Sequence, residues 1–235
     1  MSEDNFDLTD LARYLHLPEK QVQKMADRGQ IPGRKIKGEW TFSSSEIHHW
    51  FEHRLGATDD DAELATVEET IAKSNPAEET ISIAALIPPG GIELPLAART
   101  KESVIRTMAA VAERTGMLWD AEKMADAIRK REDLHPTALD NGVALLHPRR
   151  PMGSIIDDTF LTLGISGSGL PFGGGFDNLT DVFFLICSKD DRVHLRVLAR
   201  LSRLLTVRGF LENLREAETE AAIRALIAET EAKIA

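Results

Sequence analysis

The stretch that decides the fold reads REDLHPTALDNGVALLH and occupies residues 131–147. Its first two residues end a helical pattern that begins at residue 120, and residues 142–146 form the short apolar run of a buried strand. His147 follows that strand directly. Further along the chain, residues 182–187 predict a second buried strand, and residues 194–205 predict a helix with leucines on one face.

This alternation of helices and strands continues through most of the chain and is typical of an α/β domain. Further predicted elements are helices at 101–114 and 216–235 and a strand at 159–165. The glycine-rich residues 164–175 lack the G-x-G-x-x-G spacing and precede a strand rather than a helix. We therefore interpret them as a flexible loop and not as a nucleotide site.

His147 at a strand end and His194 at a helix start can meet above a sheet edge, where open α/β sheets build their sites. Neutral imidazole is a nucleophile that forms covalent intermediates. Phosphoryl transfer needs such a group together with cationic partners, and Arg131 supplies a planar fork suited to phosphate. The alternative is that His147 is a surface or capping residue, and the residues alone leave both interpretations open.

Composition and the N-terminal sequence exclude several classes of protein. The chain has 235 residues, a net charge of −10 and one cysteine, which excludes an internal disulfide framework and a cysteine-based zinc site. The N-terminus has no secretory pattern, and no apolar run approaches the ~20 residues of a membrane span. We expect a cytoplasmic protein with no membrane partner.

Most of the negative charge lies in residues 57–80, which carry 8 acidic and 1 basic side chains. This segment is either a solvated linker or an exposed amphipathic helix through Leu64, Val67 and Ile71. Both interpretations place a domain boundary here. We expect three parts: an N-terminal domain at 1–56, the acidic linker at 57–80 and the α/β domain at 81–235.

The N-terminal domain has the layout of a winged helix-turn-helix. Helices are predicted from Leu8 to Leu15 and over 19–28, then a hairpin turning at Lys37 and Gly38, then a third helix after Ser43. Cations contact phosphate oxygens, and glutamine reads adenine edges in the major groove. The candidate DNA-binding residues are Gln21, Gln23, Lys24, Arg28, Arg34, Lys35 and Lys37.

Two other interpretations concern this domain. The basic residues could instead form a solvated face or dock an acidic protein. His48, His49 and His53 lack the carboxylate or cysteine partners of a metal site, so we expect no metal.

Residues 6–54 resemble the excisionase/MerR-type DNA-binding domain. The matching stretches are LTDLARYL from Leu8, IPG from Ile31, IKGEWTF from Ile36, and residues 46–50. The resemblance implies double-stranded DNA as a partner. One small module contacts few phosphates, so we expect a homodimer or tandem sites.

Residues 81–235 resemble the IIA domain of the bacterial phosphoenolpyruvate-dependent phosphotransferase system, of the fructose/mannitol/nitrogen-regulatory class. One matching run is residues 131–147. The second begins at Phe172-Gly173 and Asp177, passes through DVFFLIC from Asp181, and reaches His194-Leu195 and LARL from Leu198.

This resemblance implies a mixed sheet flanked by helices, with His147 as phosphoacceptor, Arg131 and His194 as phosphate-stabilising partners, and Thr137 as a neighbour. It implies an HPr-like phosphocarrier as donor, and we expect no cofactor. The family usually has proline before the histidine and glycine after it, whereas this chain has Leu146 and Pro148, followed by Arg149 and Arg150. The changed flanks bear on transfer rate and donor identity.

The combined expectation is a transcriptional regulator in which phosphorylation of His147 modulates DNA binding. Two alternatives are a IIA phosphocarrier that passes phosphate to a sugar-transport subunit, and a regulatory remnant that takes no phosphate. The chain counts as an enzyme, a phosphohistidine-type phosphotransferase component, only if His147 is active.

Overall fold

The computed structural model describes residues 5–15, 17–43, 46–47, 50, 81–134, 136–173 and 179–234. The chain divides into two compact units, Met1–Thr80 and Ile81–Ala235. The predicted linker at 57–80 lies outside the described residues, as do His48, His49, His53 and most of the predicted third helix.

The described residues of the N-terminal unit include two helices and a small sheet. Its elements are β1 (Asn5–Phe6), α1 (Leu8–Leu15), α2 (Glu19–Asp27), β2 (Arg34–Ile36) and β3 (Glu39–Ser43). The Asp7 carboxylate accepts from Asp10 N at 2.7 Å and so caps α1, while Pro18 stands at the N-cap of α2. The predicted helix pair is thereby confirmed, with α2 ending at Asp27.

The predicted hairpin is also confirmed. Strands β2 and β3 pair antiparallel around Lys37 and Gly38, which have φ values of 53° and 90°. This left-handed pair suits the twist of a two-residue hairpin turn. Strand β1 pairs with the other edge of β3 and was not predicted, because two residues show no periodicity.

The second unit is built on a mixed 4-stranded sheet. Its strands are β4 (Ile92–Glu93), β5 (Val143–Leu146), β6 (Phe160–Pro171) and β7 (Leu179–Cys187), in the order β4-β6-β7-β5. The β6/β7 pair is antiparallel, and the β4/β6 and β5/β7 pairs are parallel. The expected α/β class with a mixed sheet is therefore confirmed.

Helices cover this sheet. They are α3 (Ile83–Leu86), α4 (Lys101–Arg114), α5 (Ala121–Leu134), α6 (Asp191–Thr206), α7 (Phe210–Glu216) and α8 (Glu220–Lys233). Helices α4 and α5 pack on one face, in a core with Phe160, Phe183 and Leu185. Side chains alternate along a strand, so the buried Val143 and Leu145 point to the opposite face.

The C-terminal helix is tied to the start of this unit. Glu231 accepts from Ser82 Oγ at 2.8 Å and from Ile83 N at 2.6 Å, and the buried Arg200 lies 3.5 Å from Glu231 Oε1. The predicted tail helix at 216–235 is confirmed as α8, which begins at Glu220, whereas Glu216 is the last residue of the preceding helix α7. Thr219 caps α8 by accepting from Ala222 N.

Among the described residues, three ionisable groups, Glu102, Arg129 and Cys187, have clearly shifted pKa values, and hydrogen bonding to Glu102 raises the pKa of Arg129. The Arg129 side chain of α5 binds Glu102 of α4, and Arg106 binds it as well. These contacts, chiefly those of Arg129, lower the pKa of Glu102 from 4.5 to about 2. Burial raises the pKa of the Cys187 thiol, so this cysteine is an inert core residue.

The structure corrects the prediction for the glycine-rich stretch. The strand expected at 159–165 continues to Pro171, so the flexible loop expected at 164–175 is wrong for residues 164–171. The pairing of β6 with β7 shifts register between Ile165 and Leu170, and an irregularity of this kind accommodates residues of low strand propensity. Among the described residues, no helix has the length and apolar composition required to cross a membrane.

Gly164 offers a matched test of this strand. A Cβ there would lie 2.6 Å from Met108 Sδ and 3.1 Å from Leu96 in the core, whereas one at Gly167 would meet nothing within 4 Å. We expect Gly164→Ala to lower the free energy of unfolding by about 1–3 kcal/mol through overpacking. Gly167→Ala is the control, and urea unfolding of both variants checks the difference. Equal stability would show that this core is looser than described.

Candidate functional site

The site begins at the C-terminal end of β5, which delivers His147. One edge of β5 pairs with β7. Along its other edge, Leu145 N donates to Thr137 O at 3.2 Å and Leu139 N donates to Val143 O at 2.7 Å. The segment from Thr137 to Leu139 thus lies against the strand that ends at the histidine.

The tautomer of His147 follows from one short contact. Its Nδ1 lies 2.7 Å from the carbonyl oxygen of Leu145. A carbonyl oxygen only accepts, so Nδ1 carries the proton, and in the neutral ring the lone pair is on Nε2. The side chain is only 3% exposed, which restricts the orientations open to the ring.

His194 meets His147 from the first turn of α6. The two ring centroids are 4.9 Å apart and the ring planes are tilted by 52°. Asp190 caps α6 by accepting from Val193 N at 2.9 Å, and Ser188 Oγ lies 3.3 Å from His194 Nδ1. Both imidazoles are buried, so two groups able to bind or transfer a phosphoryl group share one small volume.

Thr137 is held by a residue that the sequence alone did not single out. Glu132 has a fully buried side chain, and its carboxylate accepts from both Thr137 N and Thr137 Oγ1. Lys101 Nζ lies 3.3 Å from Glu132 Oε2. Glu132 lies next to the candidate residue Arg131 in residues 131–147, and this position was a signal that it lies near the site. Its partners Thr137 and Lys101 were not predictable from the sequence.

The remaining predicted residues occupy defined places. Arg131 is buried in the last turn of α5, one residue before Glu132. Leu146 and Pro148 are buried on either side of His147, whereas Arg149 and Arg150 are exposed. The two residues that flank His147 and differ from the usual pattern, Leu146 and Pro148, are therefore part of the packed interior, and the two arginines are at the surface.

The seven candidate DNA-binding side chains of the N-terminal unit are all exposed. The fold brings acidic partners to two of them. Arg34 pairs with Glu46 at 2.8 Å, and Lys35 pairs with Asp27 at 3.2 Å while its Nζ lies 4.8 Å from the Trp40 ring centroid. Residues 28–37 contain four basic residues and no acidic one, but the structure partly neutralises this basic run through Glu46 and Asp27.

Within the residues that the structure describes, no group of three or more histidine, cysteine or acidic side chains is placed to hold a metal ion. His48, His49 and His53 are outside that set.

Two family profiles match the chain. Residues 85–230 match the family described as "Phosphoenolpyruvate-dependent sugar phosphotransferase system, EIIA 2". Residues 6–55 match a helix-turn-helix domain. The first match covers more than half of the chain, and the second lies within the unit that carries the candidate DNA-binding residues.

A curated relative is the fructose-specific EIIABC component of the Bacillus subtilis phosphotransferase system, with 31% identity over 134 residues. The match covers 56% of this chain but 21% of the relative, so the chain spans about a fifth of that protein's length.

Two similar solved structures share the fold. The nitrogen regulatory protein IIA-Ntr from Neisseria meningitidis has 18% identity and a TM-score of 0.55, covering 62% of this chain and 98% of that one. Enzyme IIA for mannitol from Escherichia coli, in complex with phosphorylated enzyme IIB, has 22% identity and a TM-score of 0.52. That comparison covers 60% of this chain and 95% of the other.

Proposed function

The chain belongs to the EIIA 2 family of the phosphoenolpyruvate-dependent sugar phosphotransferase system, and from this premise we propose that it is a phosphorylation-controlled transcriptional regulator. In this proposal His147 accepts a phosphoryl group, and its phosphorylation state changes DNA binding by the helix-turn-helix domain at residues 6–55. Action on DNA implies a cytoplasmic location.

The observation that carries the proposal is the buried His147–His194 pair, with His147 Nδ1 committed to the Leu145 carbonyl. Because Nε2 has no proton to lose, it can attack phosphorus directly. The bond between His147 Nε2 and phosphorus forms as the bond between phosphorus and the donor breaks. The donor group leaves with the electron pair of the broken bond. An HPr-like phosphocarrier is the proposed donor.

The neighbouring groups stabilise the transferred phosphoryl group in this scheme. His194 donates a hydrogen bond from its ring to a phosphoryl oxygen, and Arg131 supplies positive charge. Thr137 sits against the strand that presents His147. The approach of Ser188 to His194 Nδ1 supports an arrangement in which His194 Nε2 faces the phosphoryl group.

Phosphate uptake tests the first half of the proposal. The full chain is incubated with phosphoenolpyruvate and the general carrier proteins, and its intact mass is measured at alkaline pH because phosphohistidine is acid-labile. We expect one phosphoryl group per chain. A complete lack of uptake would contradict the proposal and favour a regulatory remnant.

The second half of the proposal is that the N-terminal unit binds DNA. Its exposed cations suit phosphate contacts, and Gln21 and Gln23 on α2 are exposed for base contacts. Asp27 and Glu46, which pair with Lys35 and Arg34, compete with DNA phosphates for these two cations. Exposed pairs contribute little, about 0–1 kcal/mol, so DNA phosphates can displace them.

Removing these acids is therefore expected to strengthen DNA binding. We expect Asp27→Asn and Glu46→Gln each to raise affinity, roughly up to 5-fold, because each frees a cation and removes repulsion of phosphate. Gel shifts at fixed salt measure the effect. Glu113→Gln, an exposed acid in the other unit, is the matched control. Unchanged affinity in both variants would mean that Arg34 and Lys35 do not face DNA.

Phosphorylation adds about 1.5–2 negative charges, which supplies a physical reason for altered docking between domains or subunits. The acidic residues 57–80 offer a related form of control, since they can compete with DNA phosphates for the basic residues of the hairpin, Arg34, Lys35 and Lys37. Gel shifts with a chain lacking residues 57–80 separate the two effects. Unchanged DNA affinity in that chain would rule out competition by the linker.

A second candidate function is transfer of phosphate to a sugar-transport subunit. It is favoured by the similarity to the fructose-specific EIIABC component. In that case the phosphorylated chain would pass phosphate to a IIB-type protein, and its DNA affinity would not depend on phosphorylation.

A further inference from the structure

We propose that Glu132 is a positioning residue for phosphotransfer, acting on His147 through Thr137 and the backbone of Leu145. This inference rests on the proposed function. It assigns a role to a buried carboxylate and to Lys101, neither of which contacts the phosphoryl group in the scheme above.

The first link is the binding of Thr137 by Glu132. Glu132 Oε1 accepts from Thr137 N at 3.2 Å and from Thr137 Oγ1, so both polar groups that this residue can donate are committed to one carboxylate. The Glu132 side chain is fully buried. Because hydrogen bonds to a buried charged group are stronger than neutral ones, Thr137 has little freedom to move.

The second link is Lys101, which supplies the opposite charge. Its Nζ lies 3.3 Å from Glu132 Oε2 and 3.3 Å from the Glu132 carbonyl oxygen. A buried carboxylate without a charged partner is costly, so this contact offsets the desolvation of Glu132. Lys101 is the first residue of α4, so the positive charge that pairs with Glu132 of α5 comes from a different helix.

The third link reaches the imidazole. Thr137 O accepts from Leu145 N, and Leu145 O accepts from His147 Nδ1. Displacement of Thr137 therefore shifts the backbone of Leu145, whose carbonyl fixes the His147 tautomer. Groups that orient a reactive histidine through its second nitrogen tune its reactivity in this way.

Glutamine cannot replace Glu132 in this network. Its amide has one accepting oxygen, and its NH₂ group would face either Thr137 or Lys101, both of which donate. We expect Glu132→Gln in the full chain to slow phosphotransfer from the carrier by ~10- to 100-fold. We also expect the imidazole nitrogen chemical shifts of His147 to move from a single Nδ1–H tautomer toward a mixture.

The matched control is Glu231→Gln. Glu231 is also buried, is bound by Arg200 and Ser82, and lies outside the phosphotransfer site. We expect it to lower the unfolding midpoint without changing the His147 tautomer or the transfer rate per folded chain. Thr137→Val provides a second variant, since it removes the hydroxyl donor, and we expect it to shift the tautomer in the same direction.

Either of two results would overturn the inference. One is an unchanged transfer rate per folded chain in Glu132→Gln. The other is a slower rate with the Nδ1–H tautomer fully retained, as a purely structural role would give. If the wild-type chain takes up no phosphate, the proposed function fails, and the tautomer comparison alone decides whether Glu132 positions His147.

Discussion

His147→Ala is expected to take up no phosphate under conditions that phosphorylate the wild-type chain completely. The reason is chemical, since alanine offers no nucleophile, and with Nδ1–H bound to the Leu145 carbonyl the lone pair of the neutral His147 ring is on Nε2. Intact mass at alkaline pH gives the measurement. Because the His147 ring is buried, the unfolding midpoint of the variant must be recorded alongside uptake.

His194→Ala is the comparison that gives this result its meaning. It removes the neighbouring ring, whose centroid lies at 4.9 Å, but leaves His147, the proposed acceptor, in place. Loss of one donor to a transferring group costs roughly 100-fold in rate, so we expect slow uptake that still reaches one phosphoryl group per chain. Full uptake by His147→Ala would contradict the assignment, and loss only in His194→Ala would exchange the two roles.

The second large effect concerns DNA. We expect the triple variant Lys24→Ala, Arg28→Ala, Lys37→Ala to bind DNA roughly 100-fold or more weakly at about 0.1 M salt, because in the proposed interface each side chain neutralises a phosphate and releases counterions. The slope of log affinity against log salt should fall by about 1 for each phosphate that is no longer neutralised. Gel shifts over a salt series measure both quantities.

A charge-matched control separates phosphate contact from net charge. Lys123, Lys130 and Lys233 are exposed lysines of the other unit, and their replacement by alanine also removes three positive charges. We expect that variant to keep the wild-type salt slope. If both triple variants lose affinity equally, the basic residues of the N-terminal unit are not a specific DNA face.

The parts of the fold that sequence predicted are those with a long periodic signal. Helix α4 has the predicted bounds, and β7 contains the predicted apolar run, because 14 and 9 residues suffice to display a period. The two-residue strands β1 and β4 have no such signal. The glycine-rich part of β6 was misjudged because pairing with β7 outweighs its low strand propensity.

At the site, the strand end and helix start that carry the two histidines were predictable from the chain. The network around them was not. Glu132 and Thr137 are close in sequence, but Lys101 is 31 residues from Glu132, and no local pattern indicates that contact. The ion pair of Arg34 with Glu46 likewise forms across 12 residues, which is why the basic stretch looked unopposed in sequence.

The central claim is that phosphorylation of His147 controls DNA binding, and one measurement tests it most directly. DNA affinity of the full chain is determined before and after phosphorylation by the carrier proteins, at one stated salt concentration, with His147→Ala carried through the same treatment. We expect a changed affinity in the wild-type chain and no change in the variant. Equal affinity of the phosphorylated and unphosphorylated wild-type chain would contradict the account.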